Sequence, residues 1–289
     1  MSLAQPLVKT DVESGNAPTS PSSITDAKLL SMNKAAAILH FSQASLMLAT
    51  YFAVDSVRDF TKPVLYTYAK FNEGTKGFDQ ESAFAFDLPI GLITPFFLYM
   101  SAIAHFICII SPTNYLNQIN QNINRMRWYE YALSSSLMIV MIASLFGVWD
   151  LGNLIAIVGC NASMNLFGLW MEEANMPSVK PATSPVNWTP FFLGCLAGVI
   201  PWINTMIAFL GSGDFANIPS FVYGILIGYF IFFNTFPVNM VLQYAKVGKW
   251  ADYRYGEVTY IVLSLLSKSL LAWLVFGGTF QPNGDDDDQ

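Results

Sequence analysis

Seven long apolar runs, at about 34–54, 88–110, 128–148, 152–172, 189–210, 219–243 and 257–279, alternate with polar stretches along the chain. Each is long enough to cross a bilayer as a helix, which takes about 20 mainly apolar residues. A helix also satisfies its own backbone hydrogen bonds where no water can reach them. The pattern therefore predicts an all-α membrane protein, a seven-transmembrane helix bundle. The connections are short except for 55–87, which mixes Asp55, Arg58, Asp59, Lys62, Lys70, Glu73, Lys76, Asp79, Glu81 and Asp87 with aromatic residues. Within it, Val64-Leu65-Tyr66-Thr67-Tyr68 reads as a strand and Glu73-Gly74 as its turn, so this long first loop is expected to carry a short β-hairpin.

Composition agrees with a bilayer as the solvent. Only 12% of the 289 residues are charged and the mean hydropathy is +0.42, whereas a soluble domain carries roughly 25% charge. One domain is expected, at 34–280. Residues 1–33, rich in Pro, Ser and Thr, read as a disordered tail, and 281–289 as a solvated acidic tail that ends in Asp285 to Asp288. Neither a secretory signal nor the glycine needed for myristoylation follows Met1-Ser2. The net charge of −6 offers nothing to a nucleic acid. Cys108, Cys160 and Cys195 all lie in apolar runs and are odd in number, so they are expected to be buried packing residues and not disulfide partners.

Basic residues set the orientation, because Lys and Arg are retained on the cytoplasmic side. With the N-terminus inside, that side holds nine: Lys9, Lys28, Lys34, Arg125, Arg127, Lys180, Lys246, Lys249 and Arg254. The opposite side holds four, Arg58, Lys62, Lys70 and Lys76, all in the long loop. The expected topology is a cytoplasmic N-terminus and an extracellular C-terminus. The sequon Asn187-Trp188-Thr189 then faces the cytoplasm and should escape glycosylation.

Lys268 is the residue this pattern makes conspicuous. It lies eleven residues into the last run, roughly 16 Å along the axis, and a charge at that depth costs about 2.5–3.5 kcal/mol on insertion scales. Two roles suit it: a reactive amine for a ligand, or half of an ion pair that locks two helices. Its partner in either case is expected to be Glu130, unless Glu130 is an interfacial residue paired with Arg127, its i, i+3 neighbour. His40 and His105 sit inside the first and second runs. With Glu130 they suggest a polar cavity on the cytoplasmic side of Lys268, where a proton could rest; each histidine could equally be a helix-packing residue. Ser264, one turn before Lys268, is expected to hydrogen-bond the lysine nitrogen or to act as packing glue. Phe230, Phe232, Phe233 and Phe236, with Pro201-Trp202, could wall a rigid apolar pocket, and Pro201 and Pro237 could kink the helices beside it. Glu172, Glu173 and Glu257 are expected to be solvated at the interface. No metal-ligand spacing, phosphate-binding glycine loop or nucleophile–base pair of hydrolytic type appears, so no enzyme is expected.

Several segments together resemble the heliorhodopsins. Ser264-Leu-Leu-Ser-Lys268-Ser-Leu-Leu-Ala-Trp273 is similar to the last helix of that family, Arg127-Trp-Tyr-Glu130-Tyr-Ala-Leu-Ser134-Ser135-Ser136 to its third, and Asn161-Ala-Ser-Met164-Asn-Leu-Phe-Gly-Leu-Trp-Met-Glu172 to its fourth. Phe233-Asn-Thr-Phe-Pro-Val-Asn239-Met-Val-Leu-Gln243-Tyr244 is similar to its sixth, and His40 and His105 fall where the family has two cavity histidines. The resemblance covers about 34–280; Pro237 departs from the family pattern.

The resemblance implies an inverted topology with the N-terminus inside, as the basic residues suggest. It implies all-trans retinal on Lys268 as a protonated Schiff base, with Glu130 as counterion and Ser264 nearby. Tyr131, Ser134, Ser135, Asn161, Met164, Trp202 and Phe233 would complete the retinal site, with His40, His105 and Arg127 in the proton cavity. A homodimer in membrane lipid is implied, the long loop packing over the partner. The expected function is light sensing: photoisomerisation drives the Schiff base proton into the cytoplasmic-side cavity, with a slow photocycle and without net pumping. The competing readings are a light-gated proton-conducting channel or transporter, and a retinal-free transporter built on a Lys268–Glu130 pair.

Overall fold

The computed structural model describes residues 22–181, 183–211, 213 and 220–280. In chain order they form α1 (Asp26–Ala53), α2 (Asp55–Arg58), β1 (Thr61–Asn72), β2 (Gly77–Pro89), α3 (Ile90–Ile110) and α4 (Pro112–Asn120). There follow α5 (Arg125–Leu145), α6 (Leu151–Ala174), α7 (Thr189–Gly211), α8 (Ser220–Tyr244), a 3-10 turn (Gly248–Ala251) and α9 (Tyr253–Gly278). Seven of the helices, α1, α3 and α5 to α9, are long and apolar enough to span a membrane. The protein is an integral, multi-pass membrane protein with a seven-helix bundle.

The expected runs match these helices closely except at the start. The chain turns helical at Asp26, so residues 26–33, expected in the disordered tail, form about two turns of α1. The local cause is Thr25, whose side chain accepts a hydrogen bond from the Lys28 amide as an N-cap. Residues 1–21 and the acidic tail 281–289 lie outside the described residues, as does the turn at Asp214. Similar caps start α5, α6 and α9. Asn124 accepts from Arg127 N, Asp150 from Asn153 N and Asp252 from Arg254 N. Gly147, at φ 94°, supplies the left-handed residue that ends α5, and Val148 N closes the motif on Ala143 O.

Packing explains why α5, with four serines and a glutamate, is the least apolar interior. It is the most enclosed of the seven spans, touching α3, α6, α7 and α8. Helices α1, α3 and α9 close one side and α6 and α7 the other. At one end lie the starts of α1 and α9, tied by Arg254 to Asp26 at 2.5 Å and by Ser22 to Asp252. The opposite end carries the β-hairpin.

The hairpin is longer than the five-residue strand expected. β1 and β2 pair antiparallel from Thr61↔Pro89 to Asn72↔Gly77, with one register shift at Val64/Leu65. The turn lies at 73–76, where Lys76 has φ 50°. Leu65 N donates to Trp149 O at 2.9 Å, so the hairpin is docked on the α5–α6 connection. Beneath it Val64, Ile90, Phe97, Met141, Ile142 and Phe276 belong to the main apolar core, which fills the bundle between the hairpin and the level of Lys268.

Candidate functional site

Lys268 is 3% exposed. Its Nζ donates to Glu130 Oε1 at 2.5 Å and to Ser101 Oγ at 2.6 Å, and lies 5.0 Å from the Tyr131 ring centroid. Ser101 in turn donates to Glu130 Oε1 at 2.7 Å. Three helices, α9, α5 and α3, thus meet in one buried, charge-assisted triangle. Glu130 is 7% exposed and does not pair with Arg127 at a surface. Ser264 is buried on the lysine's face, but its Oγ makes no bond to Nζ and has no hydrogen-bond partner among the described residues. The expected Ser264 contact is supplied by Ser101, because α3 packs closer to the amine than the preceding turn of its own helix.

Beside the amine an apolar pocket of about 370 Å³ opens, lined by Lys268 and Ser267 at one end. Its walls come from α5 (Trp128, Tyr131, Ser135, Met138), α6 (Met164, Asn165, Gly168) and α7 (Gly194, Cys195, Gly198, Trp202). Helix α8 contributes Phe230, Phe233, Phe236 and Pro237. Trp202 meets Phe233 and Phe230 at ring distances of 5.9 and 5.2 Å, which holds the aromatic wall of α7 against that of α8. Two glycines make room for other side chains. A Cβ on Gly168 would stand 2.3 Å from the Trp128 ring, and one on Gly198 2.4 Å from Met164 Sδ.

Some expected wall residues sit elsewhere. Phe232 and Ser134 do not line the pocket, although Ser134 is buried one turn beyond Glu130. Asn161 stands behind the wall and steadies it, donating to Ser135 Oγ at 2.7 Å and Ser136 Oγ at 3.1 Å; Asn165, one turn on, is the amide that reaches the pocket. Pro201 and Pro237 both lie inside continuous helices. The cysteines are free, but only Cys108 is buried; Cys195 is exposed on the pocket's rim because α7 turns that face outward.

The polar groups gather toward the N-terminal end of the bundle. His40 and His105 stack at 5.8 Å. His105 Nδ1 is 2.8 Å from Asn33 Oδ1, while neither nitrogen of His40 meets a hydrogen-bond partner among the described residues. A small cavity of about 30 Å³ is lined by His105, Asn33, Asn124, Arg127, Glu130 and Glu257, among others. Arg127 donates to Glu172 and to Glu257, and its guanidinium lies 4.0 Å from the Tyr260 ring. Glu172 and Glu257 are each 1% exposed, so the expected solvated role is wrong for both. Burial of Arg127 in the bundle draws both in, since an unpaired guanidinium there would be prohibitive. Only Glu173 stays near the surface, paired with Arg125 at 3.0 Å.

Ser101, Asn33, Tyr115 and Asn124 were not legible as site residues. Their one signal is a polar side chain inside or beside an apolar run, which serine and asparagine often show for packing alone. Among the described residues no cluster of three metal-ligating side chains occurs.

The arrangement offers a lysine amine with a fixed carboxylate at the end of an aromatic-walled pocket. The pocket's size falls at the small end of the roughly 300–1,000 Å³ usual for ligand sites. A long, rigid, apolar ligand tethered to Nζ fits such a space. The heliorhodopsin family model matches residues 29–280. No curated protein matches the chain.

Proposed function

Because the chain belongs to the heliorhodopsin family, light-sensing retinal proteins, we propose that it is a light sensor that moves a proton internally, from Lys268 Nζ toward the end of the bundle that carries the N-terminus, without net ion pumping. The observation that carries this reading is the buried Lys268–Glu130 contact of 2.5 Å at the end of a pocket lined by Trp202, Phe230 and Phe233. All-trans retinal, bound to Lys268 as a protonated Schiff base, supplies the light absorption and the isomerisation.

The chain's own residues do the rest. Glu130 holds the positive charge at Nζ, and Ser101 fixes the carboxylate by donating to the same oxygen. Tyr131 and Trp202 line the pocket and would restrict the space beside a bound polyene. Beyond Glu130, His105 and Arg127 line the small cavity, with His40 stacked on His105. The two histidines offer a resting place for a proton on one side only, with Arg127 a fixed positive charge beside them. Toward the hairpin, the packing around Met138, Ile142, Leu271 and Val275 is apolar, and among the described residues no buried Asp, Glu, Lys, Arg or His lies nearer the hairpin along its helix than His40, Glu130 and Lys268. That apolar half favours an internal transfer over a conducting path.

The excess of Lys and Arg around the N-terminal end supports a cytoplasmic N-terminus. A homodimer suits the hairpin, where Phe71, opposite Phe78, and Phe84 are exposed on one face. Voltage-clamp recording of illuminated cells that express the retinal-loaded chain tests the function. A light-induced proton release at Nζ without current is expected; reproducible photocurrents that reverse with the proton gradient would establish the proton-conducting alternative instead.

A further inference from the structure

Three carboxylates and two cations are buried in this half of the bundle, and they do not balance locally. Glu130 has Lys268 to itself. Arg127 has two partners, Glu172 and Glu257. One negative charge is therefore in excess around the guanidinium, in a region where unpaired charge is costly.

The two carboxylates are not equivalent. Glu172 receives four donors. Arg127 Nη2 and Tyr253 OH, the latter at 3.0 Å, reach Oε1, while Asn124 N at 2.9 Å and Trp128 Nε1 at 2.7 Å reach Oε2. Every lone-pair direction is used, so Glu172 is built to stay ionised. Glu257 Oε1 receives Asn124 Nδ2 at 2.7 Å and Tyr115 OH at 3.1 Å, but Oε2 receives only Arg127 Nη1. It keeps one acceptor site for a proton, on a residue that lines the small cavity.

Glu257 is also joined to the lysine end of the cavity in two ways. A line of side chains runs from His105 Nδ1 to Asn33 at 2.8 Å, from Asn33 Nδ2 to Tyr115 OH at 3.1 Å, and from Tyr115 to Glu257. The cavity itself touches both Glu130 and Glu257. At about 30 Å³ it has space for roughly two waters, taking ~10–15 Å³ for each.

We infer that Glu257 is the terminal proton-holding residue of the internal transfer, an inference that rests on the light-driven release of a proton at Lys268 proposed above. The N–H bond at Nζ breaks and an O–H bond forms on Glu257. Nζ goes from cation to neutral and Glu257 from anion to neutral. What remains is a one-to-one Arg127–Glu172 pair with all its hydrogen bonds, and the excess negative charge passes to Glu130, whose Oε1 keeps the hydrogen bond from Ser101. The O–H forms on Oε2, the oxygen with the free acceptor site, while Tyr115 and Asn124 keep donating to Oε1, so the proton is held until Nζ recovers it. Arg127 of α5 and Tyr115 of α4 bond Glu257 directly, Glu172 of α6 shares Arg127 with it, and His105 and Cys108 of α3 line the same cavity.

Light-minus-dark infrared difference spectra of the full chain, loaded with all-trans retinal in phosphatidylcholine vesicles, test this. A positive band is expected in the C=O stretching region of protonated carboxyls, rising with the blue-shifted product that marks proton loss at Nζ. It should shift in D2O and be lost in Glu257→Gln. In Tyr115→Phe, which removes one hydrogen-bond partner from Oε1, the band should move to higher frequency. This second variant carries the test if Glu257→Gln fails to load. A blue-shifted product with no carboxyl band, or a band unmoved by the substitutions that load, overturns the role of Glu257 alone. Absence of any blue-shifted product in the unsubstituted chain overturns the proton release as well.

Discussion

Replacing Arg127 by Met separates a buried charge cluster from the many surface pairs that contribute little. The guanidinium is 5% exposed and its two carboxylates, Glu172 and Glu257, are 1% and 2% exposed at the side chain. Removing one member of a buried pair leaves an uncompensated charge and costs about 3–5 kcal/mol. Here two carboxylates are left, so the upper part of that range is expected. Arg125 is the control from the same helical turn. Its pair with Glu173 has both side chains 40% exposed, and exposed pairs contribute below about 1 kcal/mol. Thermal denaturation of the retinal-loaded protein, followed by loss of visible absorbance, compares the two. Arg127→Met should unfold at a far lower temperature than Arg125→Met. Combining Arg127→Met with Glu172→Gln and Glu257→Gln should recover much of the loss, since the stranded charges are gone. Equal sensitivity at Arg125 and Arg127 would refute the view that the cluster is desolvated and structural.

Glu130→Gln should shift the visible absorption maximum and weaken retention of the proton at Nζ, because the carboxylate that contacts the amine is lost; an unchanged spectrum places the counterion elsewhere. Gly168→Ala places a methyl 2.3 Å from the Trp128 ring, whose Nε1 is fixed to Glu172. A cost of about 1–3 kcal/mol for overpacking is expected, with slower formation of the visible band on adding retinal. Asp150 caps α6 through Asn153 N at 3.0 Å, and that bond holds its carboxyl below the usual range. The stabilisation is thus complete above the unfolded value of about 3.9 and is lost as pH falls through the lower folded value. Asp150→Ala should cost up to about 1 kcal/mol near neutral pH, with the gap to the unsubstituted protein closing in acid. Phe78→Ser on the hairpin should favour the monomer in size-exclusion chromatography with light scattering.

The spans were readable because a membrane helix must be mainly apolar along its length, and α3, α7 and α8 carry no Asp, Glu, Lys or Arg. Lys268 was readable for the converse reason, a charge where none belongs. The interior polar network was not. Arg127, Glu172 and Glu257 lie near the ends of their helices, where the sequence pattern is the same for a solvated side chain and for one folded inward. Only the packing of α4, α5, α6 and α9 around them decides. Ser101 was hidden for a different reason: a single serine in α3 carries no sign that it faces an amine 167 positions away. The tail boundary failed at Asp26 because Asp26, Lys28 and Asn33 depress hydropathy without opposing a helix that Thr25 caps.

The central claim is that Lys268 carries the chromophore, and covalent mapping tests it most directly. The protein is loaded with all-trans retinal, reduced with borohydride to fix the linkage, digested and read by mass spectrometry. The retinyl group is expected on the peptide that contains Lys268 and on no other lysine, with no adduct in Lys268→Ala. An adduct on a different lysine, or a visible band that survives in Lys268→Ala without added amine, would contradict the account.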